Sequence, residues 1–169
     1  MTGASGSAIR VGIGYDSHAF AAGGPLVLGG VRIPADVRLR GHSDGDAVAH
    51  AVTDAILGAA GQGDIGTLFP DTDPANAGRD SMEMLRAAAQ TVGAAGWRVQ
   101  QVDVTVVAER PRIGPYRAAM SGALARALGI APADVSVKGK TNEGMGWIGR
   151  GEGLAALAVA TLAAGEGSA

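Results

Sequence analysis

The chain has 169 residues, a formal net charge of −2 and 47% hydrophobic residues, enough for one domain with a real core and too apolar for a disordered chain. It has no cysteine, which excludes disulfides and thiolate metal sites. The slightly acidic balance offers no basic field for nucleic acid, and no apolar run approaches the ~20 residues of a membrane span, so the expectation is a cytoplasmic protein without nucleic-acid or membrane partners.

Residues 1–9 and 163–169 read as flexible tails around a single domain over residues 10–162. Arg10–Tyr15 alternates through Val11, Ile13 and Tyr15 and predicts a first strand. At its end comes Gly14-Tyr15-Asp16-Ser17-His18-Ala19-Phe20. Asp16 and His18 are one residue apart, so an extended backbone points both to one face, and a carboxylate beside an imidazole suits a divalent metal, zinc above all. A third ligand has to come from elsewhere, and the only other histidines are His42 and His50. Two short apolar runs around Gly29-Gly30 predict a hairpin over Pro25–Pro34. The segment His42-Ser43-Asp44-Gly45-Asp46 then opens a helix to about Ala60, with Val48, Val52, Ala55, Ile56 and Ala59 inward. Asp46, His50 and Asp54 fall at i, i+4, i+8, which offers His50 a carboxylate one turn away; a solvated helix face is the other reading.

Gln62–Arg79 is rich in Gly, Asp and Pro and reads as a functional or a disordered loop, with Ile65, Leu68 and Phe69 arguing against full disorder. Asp80 with Glu83 is a capping pattern that starts a helix to about Ala95. Val99–Val107 predicts a strand, Ala108–Pro115 a turn, Tyr116–Leu128 a helix closed by Gly129, and Val135–Lys140 another strand. A glycine-rich loop follows over Thr141–Gly153, then an apolar segment, Leu154–Leu162, read as a buried strand with a helix as alternative. The loop carries Glu143 and Arg150, with Lys138 and Lys140 just before it, groups suited to phosphate oxygens and to a hard cation. Its spacing matches neither a Walker loop nor a Rossmann turn, and an ordinary sharp loop is the plain alternative. The element order predicts an α+β domain of two layers, a mixed β-sheet with helices on one face.

These pieces together resemble the 2-C-methyl-D-erythritol 2,4-cyclodiphosphate synthase family. The matching stretches are Gly14–Phe20, His42–Asp46 with His50, Gly63-Asp64-Ile65-Gly66 running into Phe69–Asp73, Asp103-Val104-Thr105 into Pro111, and Thr141-Asn142-Glu143 with Gly149–Gly153. They stand in family order over about residues 10–162. The resemblance implies a homotrimer with active sites between subunits, in which the substrate's own 2-phosphate attacks the β-phosphorus of a cytidine diphosphate ester. CMP then leaves and a cyclic diphosphate forms, a phosphorus–oxygen lyase step in non-mevalonate isoprenoid biosynthesis.

It further implies Zn2+ on Asp16, His18 and His50, and Mg2+ or Mn2+ on Glu143. His42, Ser43 and Thr141 would contact phosphates, with His42 and Thr141 as the catalytic pair. Asp64, Ile65 and Gly66, with Phe69, Pro70, Asp71, Thr72 and Asp73, would contact the sugar portions. Ala108–Gly114, through Ala108, Ile113 and Gly114, would cradle cytosine. Ser17, Lys140, Asn142, Trp147 and Arg150 complete the implied substrate contacts. Asp64 and the Ala108–Gly114 turn are expected to meet the metal residues of a neighbouring chain. Lys140 and Asn142 stand where many relatives have threonine, and Trp147 where phenylalanine is frequent. An internal nucleophile lowers the entropic demand, so the protein mainly has to neutralise charge and fold the substrate back on itself. The competing readings are a non-catalytic trimer binding metal and cytidine nucleotide, and a metal-dependent phosphohydrolase.

Overall fold

The computed structural model describes residues 8–41 and 43–165. In chain order the strands are β1 (Ile9–Ala22), β2 (Leu26–Leu28), β3 (Val31–Ile33), β4 (Val37–Leu39), β5 (Trp97–Val107), β6 (Val135–Lys140) and β7 (Gly153–Ala164). The helices are α1 (Ala47–Ala60), α2 (Ile65–Leu68), α3 (Ser81–Ala94), α4 (Arg117–Leu128) and α5 (Gly146–Gly149). Five strands form a mixed sheet in the order β4-β1-β7-β5-β6, in which β5 and β6 are parallel and the other pairs antiparallel. β2 and β3 form a separate hairpin turned by Gly29 and Gly30, both at positive φ.

The expected mixed sheet with helices on one face is the architecture found. On β7 the alternation puts Leu154, Ala156, Ala158, Ala160 and Leu162 under the helices, and on β5 Val102, Val104 and Val106. Several element boundaries differ from the sequence expectation. β1 runs on through the Asp16-Ser17-His18 motif because it pairs with β7 along its length, Asp16 opposite Ala156 and His18 opposite Leu154. Ile9 and Ala163–Ala164 belong to the sheet for the same reason. The short edge strand β4, whose three residues carry too little pattern to be seen alone, exists by pairing with Ala22, Ala21 and Phe20. The Leu154–Leu162 segment is a strand, since it is hydrogen-bonded to β1 on one side and β5 on the other.

The Gln62–Arg79 stretch is neither helix nor open loop throughout. Asp64 caps the single turn of α2, Asp73 caps a 3-10 turn at Pro74–Asn76, and the Asn76 amide donates to the Pro70 carbonyl at 3.0 Å. Phe69 is buried beneath the Arg79 guanidinium, which lies 4.9 Å from the ring centroid. α1 begins at Asp46 and stops at Gly61, where φ is +70°, and α3 begins at Asp80, whose carboxylate accepts from Met82 N and Glu83 N.

What lets α1 lie on β1 is the absence of side chains at Gly12 and Gly14. A Cβ on Gly14 would stand 1.9 Å from Ala51 O, and one on Gly12 would stand 2.1 Å from Ala55 O. Both obstacles are backbone atoms of the helix, which cannot rotate away. Gly14→Ala is therefore expected to cost at least the roughly 1–3 kcal/mol of an overpacked core, read as a lower denaturant midpoint in chemical unfolding; an unchanged midpoint would mean that the helix does not rest on this strand.

Candidate active site

Asp16 and His18 project from the helix face of β1, and His50 projects toward them from the first turn of α1. Asp16 Oδ2 lies 2.8 Å from His18 Nε2 and 3.0 Å from His50 Nδ1, and the two ring nitrogens are 3.3 Å apart. The other nitrogen of each ring is already engaged. His18 Nδ1 is 2.6 Å from the Arg40 carbonyl, which can only accept, so it carries the proton there. His50 Nε2 is 2.8 Å from Ser81 Oγ and 3.0 Å from Ser43 Oγ. In its neutral form His18 thus turns a lone pair toward the carboxylate oxygen, and His50 does the same when its proton sits on Nε2. Three acceptors converging with no proton among them need a cation. Ligands about 2.0–2.1 Å from a tetrahedral zinc lie roughly 3.3 Å apart, and the triad's separations of 2.8, 3.0 and 3.3 Å approach that spacing, so the residues present fit a zinc-like ion.

The carboxylate neighbours expected for His50 along α1 go elsewhere. Asp46, fully buried, accepts from Gly29 N, Gly30 N, Val48 N and Ala49 N at 2.7–3.1 Å. Asp54 accepts from Ile65 N at 2.8 Å, and burial pushes its pKa up. Helical spacing puts these groups on one stripe, but Asp46 is drawn to the unpaired N–H groups of its own helix start and of the hairpin turn. The partners of His50 are Ser43 and Ser81, and Ser81, a residue the sequence offered only as the start of a helix, was missed.

The triad opens on a cavity of about 380 Å³ lined by His18, His50, Ser43, Ile65, Gly66, Phe69 and Asp71, among others. Ile65 and Gly66, next to Asp64, line this cavity together with His18 and His50 of their own chain, and α1 reaches Ile65 through the Asp54 carboxylate. Asp64 itself is occupied by its cap, accepting from Thr67 N and Thr67 Oγ1, both at 2.7 Å, and these bonds lower its pKa. Pro70, Thr72 and Asp73 are exposed on the same segment. Ser17 stands on the opposite face of β1 from Asp16 and His18, by strand alternation. His42 lies outside the described residues.

A second cavity, of about 400 Å³, shares no lining residue with the first. It is formed by the Ala108–Pro115 turn, with Ala108, Ile113 and Gly114, and by Lys140 and Thr141 at the end of β6. Glu143, at φ 52°, is the one non-glycine residue with positive φ among the described residues. Glu109 holds that conformation, since its Oε1 accepts from Asn142 N at 2.9 Å and Gly144 N at 3.2 Å. Thr141 Oγ1 donates to Glu143 Oε1 at 2.7 Å. Glu109 was missed because its role is to brace a loop more than thirty residues away. Arg150 and Trp147 are exposed beyond this loop, and Arg150 Nε donates to Glu152 Oε1 at 2.6 Å.

A family model described as the YgbB family matches residues 9–163. The chain belongs to the YgbB family. It is 63% identical over 156 residues to a protein of Gemmatimonas aurantiaca named 2-C-methyl-D-erythritol 2,4-cyclodiphosphate synthase, covering 92% of this chain and 94% of that one. A protein of the same name from Bordetella petrii is 57% identical over 154 residues, covering 91% of this chain and 95% of that one. Among solved structures, a CDP complex of the Plasmodium falciparum IspF has a TM-score of 0.82 at 36% identity, covering 96% of this chain and all of that one. The enzymatic reading of the sequence, a cyclodiphosphate synthase of isoprenoid biosynthesis, stands, and the non-catalytic reading is not favoured.

A proton competes for the place between the triad's lone pairs. The hydrogen bond to Asp16 raises the His18 pKa above its ordinary 6.5, against an opposing effect of burial. Burial works to raise Asp16, but its polar contacts with the His18 and His50 rings outweigh it and hold the carboxyl well below the usual carboxylate range. Because protonated His18 cannot ligate, metal affinity is expected to fall as pH drops through a midpoint above 6.5, while Asp16 stays ionised. Competition of zinc against a chelator between about pH 5.5 and 8.5 checks this; an affinity flat across that range would contradict it.

Proposed function

We propose that the protein cyclises 4-diphosphocytidyl-2-C-methyl-D-erythritol 2-phosphate to 2-C-methyl-D-erythritol 2,4-cyclodiphosphate with release of CMP, as a cytoplasmic homotrimer. The observation that carries the reading is the convergence of Asp16, His18 and His50 on the cavity lined by the Ile65–Phe69 segment, in a chain whose closely similar relatives bear that synthase's name. The CDP named with the Plasmodium falciparum structure supports a cytidine nucleotide as ligand. Among the described residues no helix is long and apolar enough to cross a membrane.

Asp16, His18 and His50 would hold Zn2+, and Glu143 would hold Mg2+ or Mn2+. Bound there, the two cations supply positive charge to the phosphate oxygens. Ala108, Ile113 and Gly114 would seat cytosine in the second cavity, with Lys140 and Thr141 at its phosphate side. Ile65, Gly66, Phe69 and Asp71 would shape the first cavity around the methylerythritol portion and its 2-phosphate, with Asp64, Pro70, Thr72 and Asp73 framing that loop. Ser17, Asn142, Trp147 and Arg150 would complete the substrate contacts. An oxygen of the 2-phosphate forms the new bond to the β-phosphorus, and the bond from that phosphorus to the bridging oxygen of CMP breaks, the electron pair leaving with CMP. The attacking group is already anionic, so no side chain has to remove a proton from it. His42, Ser43 and Thr141 would donate to phosphate oxygens as charge shifts toward CMP, and for this the Thr141 hydroxyl, which donates to Glu143 Oε1, would turn to substrate.

Two features support assembly across subunits. The nucleotide-side and metal-side cavities are separate within one chain. The sheet face away from the helices is apolar along β1 and β7, with Ile13 68%, Tyr15 54% and Val159 42% exposed, Ile13 opposite Val159 and Tyr15 opposite Leu157. A continuous apolar face of this kind is characteristic of a protein interface. Ile13→Glu is expected to turn a trimer into monomers by light scattering and to abolish turnover; a stable monomeric wild type that is active would remove the assembly from the reading.

Incubation with the cytidine diphosphate substrate and Mg2+ tests the function directly. Phosphorus NMR is expected to show CMP and a cyclic diphosphate, whereas CMP with two separate phosphomonoesters on the methylerythritol would mean hydrolysis. His42→Ala and Thr141→Val are each expected to lower kcat by about a hundredfold with KM changed less, the loss of roughly 2.7–4 kcal/mol typical of one transition-state donor.

A further inference from the structure

Ser81, at the first turn of α3, is fully buried and lies far from the metal motifs in sequence. Its backbone N donates to Asp44 Oδ2 at 3.2 Å, and its hydroxyl donates to Asp44 Oδ1. Asp44 Oδ1 also accepts from Asp46 N at 3.1 Å. A serine hydroxyl has one proton and two lone pairs. Since the proton goes to a carboxylate, which accepts only, the 2.8 Å contact between Ser81 Oγ and His50 Nε2 has to run the other way, with His50 as donor. Ser43 Oγ, 3.0 Å from the same nitrogen, shares that proton and is itself held by Gly45 N at 3.3 Å. The proton of His50 is thereby placed on Nε2, and Nδ1 is left as a lone pair 3.0 Å from Asp16 Oδ2.

We propose that the Asp44–Ser81 pair is a positioning device for the metal centre, fixing the ring rotation and tautomer of His50 so that Nδ1 is the ligating atom. The proposal rests on the reading of Asp16, His18 and His50 as metal ligands. Neither residue touches the metal; Asp44 orients the Ser81 hydroxyl, and Ser81 orients the imidazole. This fills the place that helical spacing seemed to give Asp46, and it ties the N-terminus of α3 to the first turn of α1. Outer partners of metal-bound histidines typically change metal affinity by about 10–100-fold when removed. Asp44 and Ser81 act as one unit, so their removals should not add.

Two measurements test it. In zinc competition against a chelator, Ser81→Ala is expected to weaken zinc binding by about 10–100-fold, Ser81→Thr to restore it to within a few-fold, and Asp44→Ala combined with Ser81→Ala to add little further loss. Asp16→Ala, removing a ligand, is the reference for the underlying metal reading: if it and wild type bind zinc alike, the metal centre itself fails. If Asp16→Ala abolishes binding while Ser81→Ala keeps wild-type affinity, only the positioning proposal fails. Nitrogen-15 NMR of the histidine rings in the wild-type protein, metal-free and zinc-loaded at one slightly alkaline pH, needs no variant to fold. It is expected to show the His50 proton on Nε2, protected from exchange, in both states; a proton on Nδ1, or one exchanging like that of a solvent-exposed imidazole, overturns the proposal.

Discussion

The convergence of Asp16, His18 and His50 depends on a contact made almost entirely by backbone. α1 lies against β1 where Gly12 and Gly14 leave no Cβ to hold it off, with Ala51, Ala55 and Ala59 on the helix side. That closeness brings His50, at the start of the helix, within hydrogen-bonding distance of Asp16, two residues beyond Gly14 on the strand. A larger residue at either glycine would lift the helix and open the triad. The price of stacking small residues is lost apolar area per residue, and the flanking core makes up for it with fully buried Leu57, Ile56, Leu154 and Leu162.

Carboxylates do a large share of the structural work at this end of the molecule. Asp46 satisfies two N–H groups of the α1 start and two of the Gly29–Gly30 turn, so one buried side chain joins helix to hairpin. Asp54 joins α1 to α2, and Asp44 joins the turn before α1 to the start of α3. Each of these acidic groups is neutralised by N–H dipoles or a hydroxyl and not by a cation, which leaves Asp16 as the carboxylate that faces the two imidazoles.

The glycine-rich segment at the other cavity follows a similar logic with different parts. Glu109, on the turn after β5, accepts from two N–H groups of the Asn142–Gly144 loop and so holds Glu143 at positive φ, where its carboxylate meets the Thr141 hydroxyl. A side chain kept in that backbone region is a strained arrangement more often found at working sites than elsewhere.

The sequence by itself determined the elements whose signals are local. Alternation in Val102, Val104 and Val106 marks a strand, Asp80 with Glu83 marks a helix start, and Asp16-x-His18 is bound to present two ligands on one face wherever the backbone is extended. The family pattern carried the third ligand, His50, which no local rule could attach to the other two. Only the tertiary structure decided which groups those ligands lean on. Asp46 and Asp54 were the reachable neighbours by helical period, yet they turn to unpaired N–H groups, while Ser81 arrives from thirty-one residues away. The reason is that a helix period fixes directions and not partners: a buried carboxylate goes to the nearest unsatisfied donors, and where those donors are is settled by how α1, α3 and the hairpin pack together.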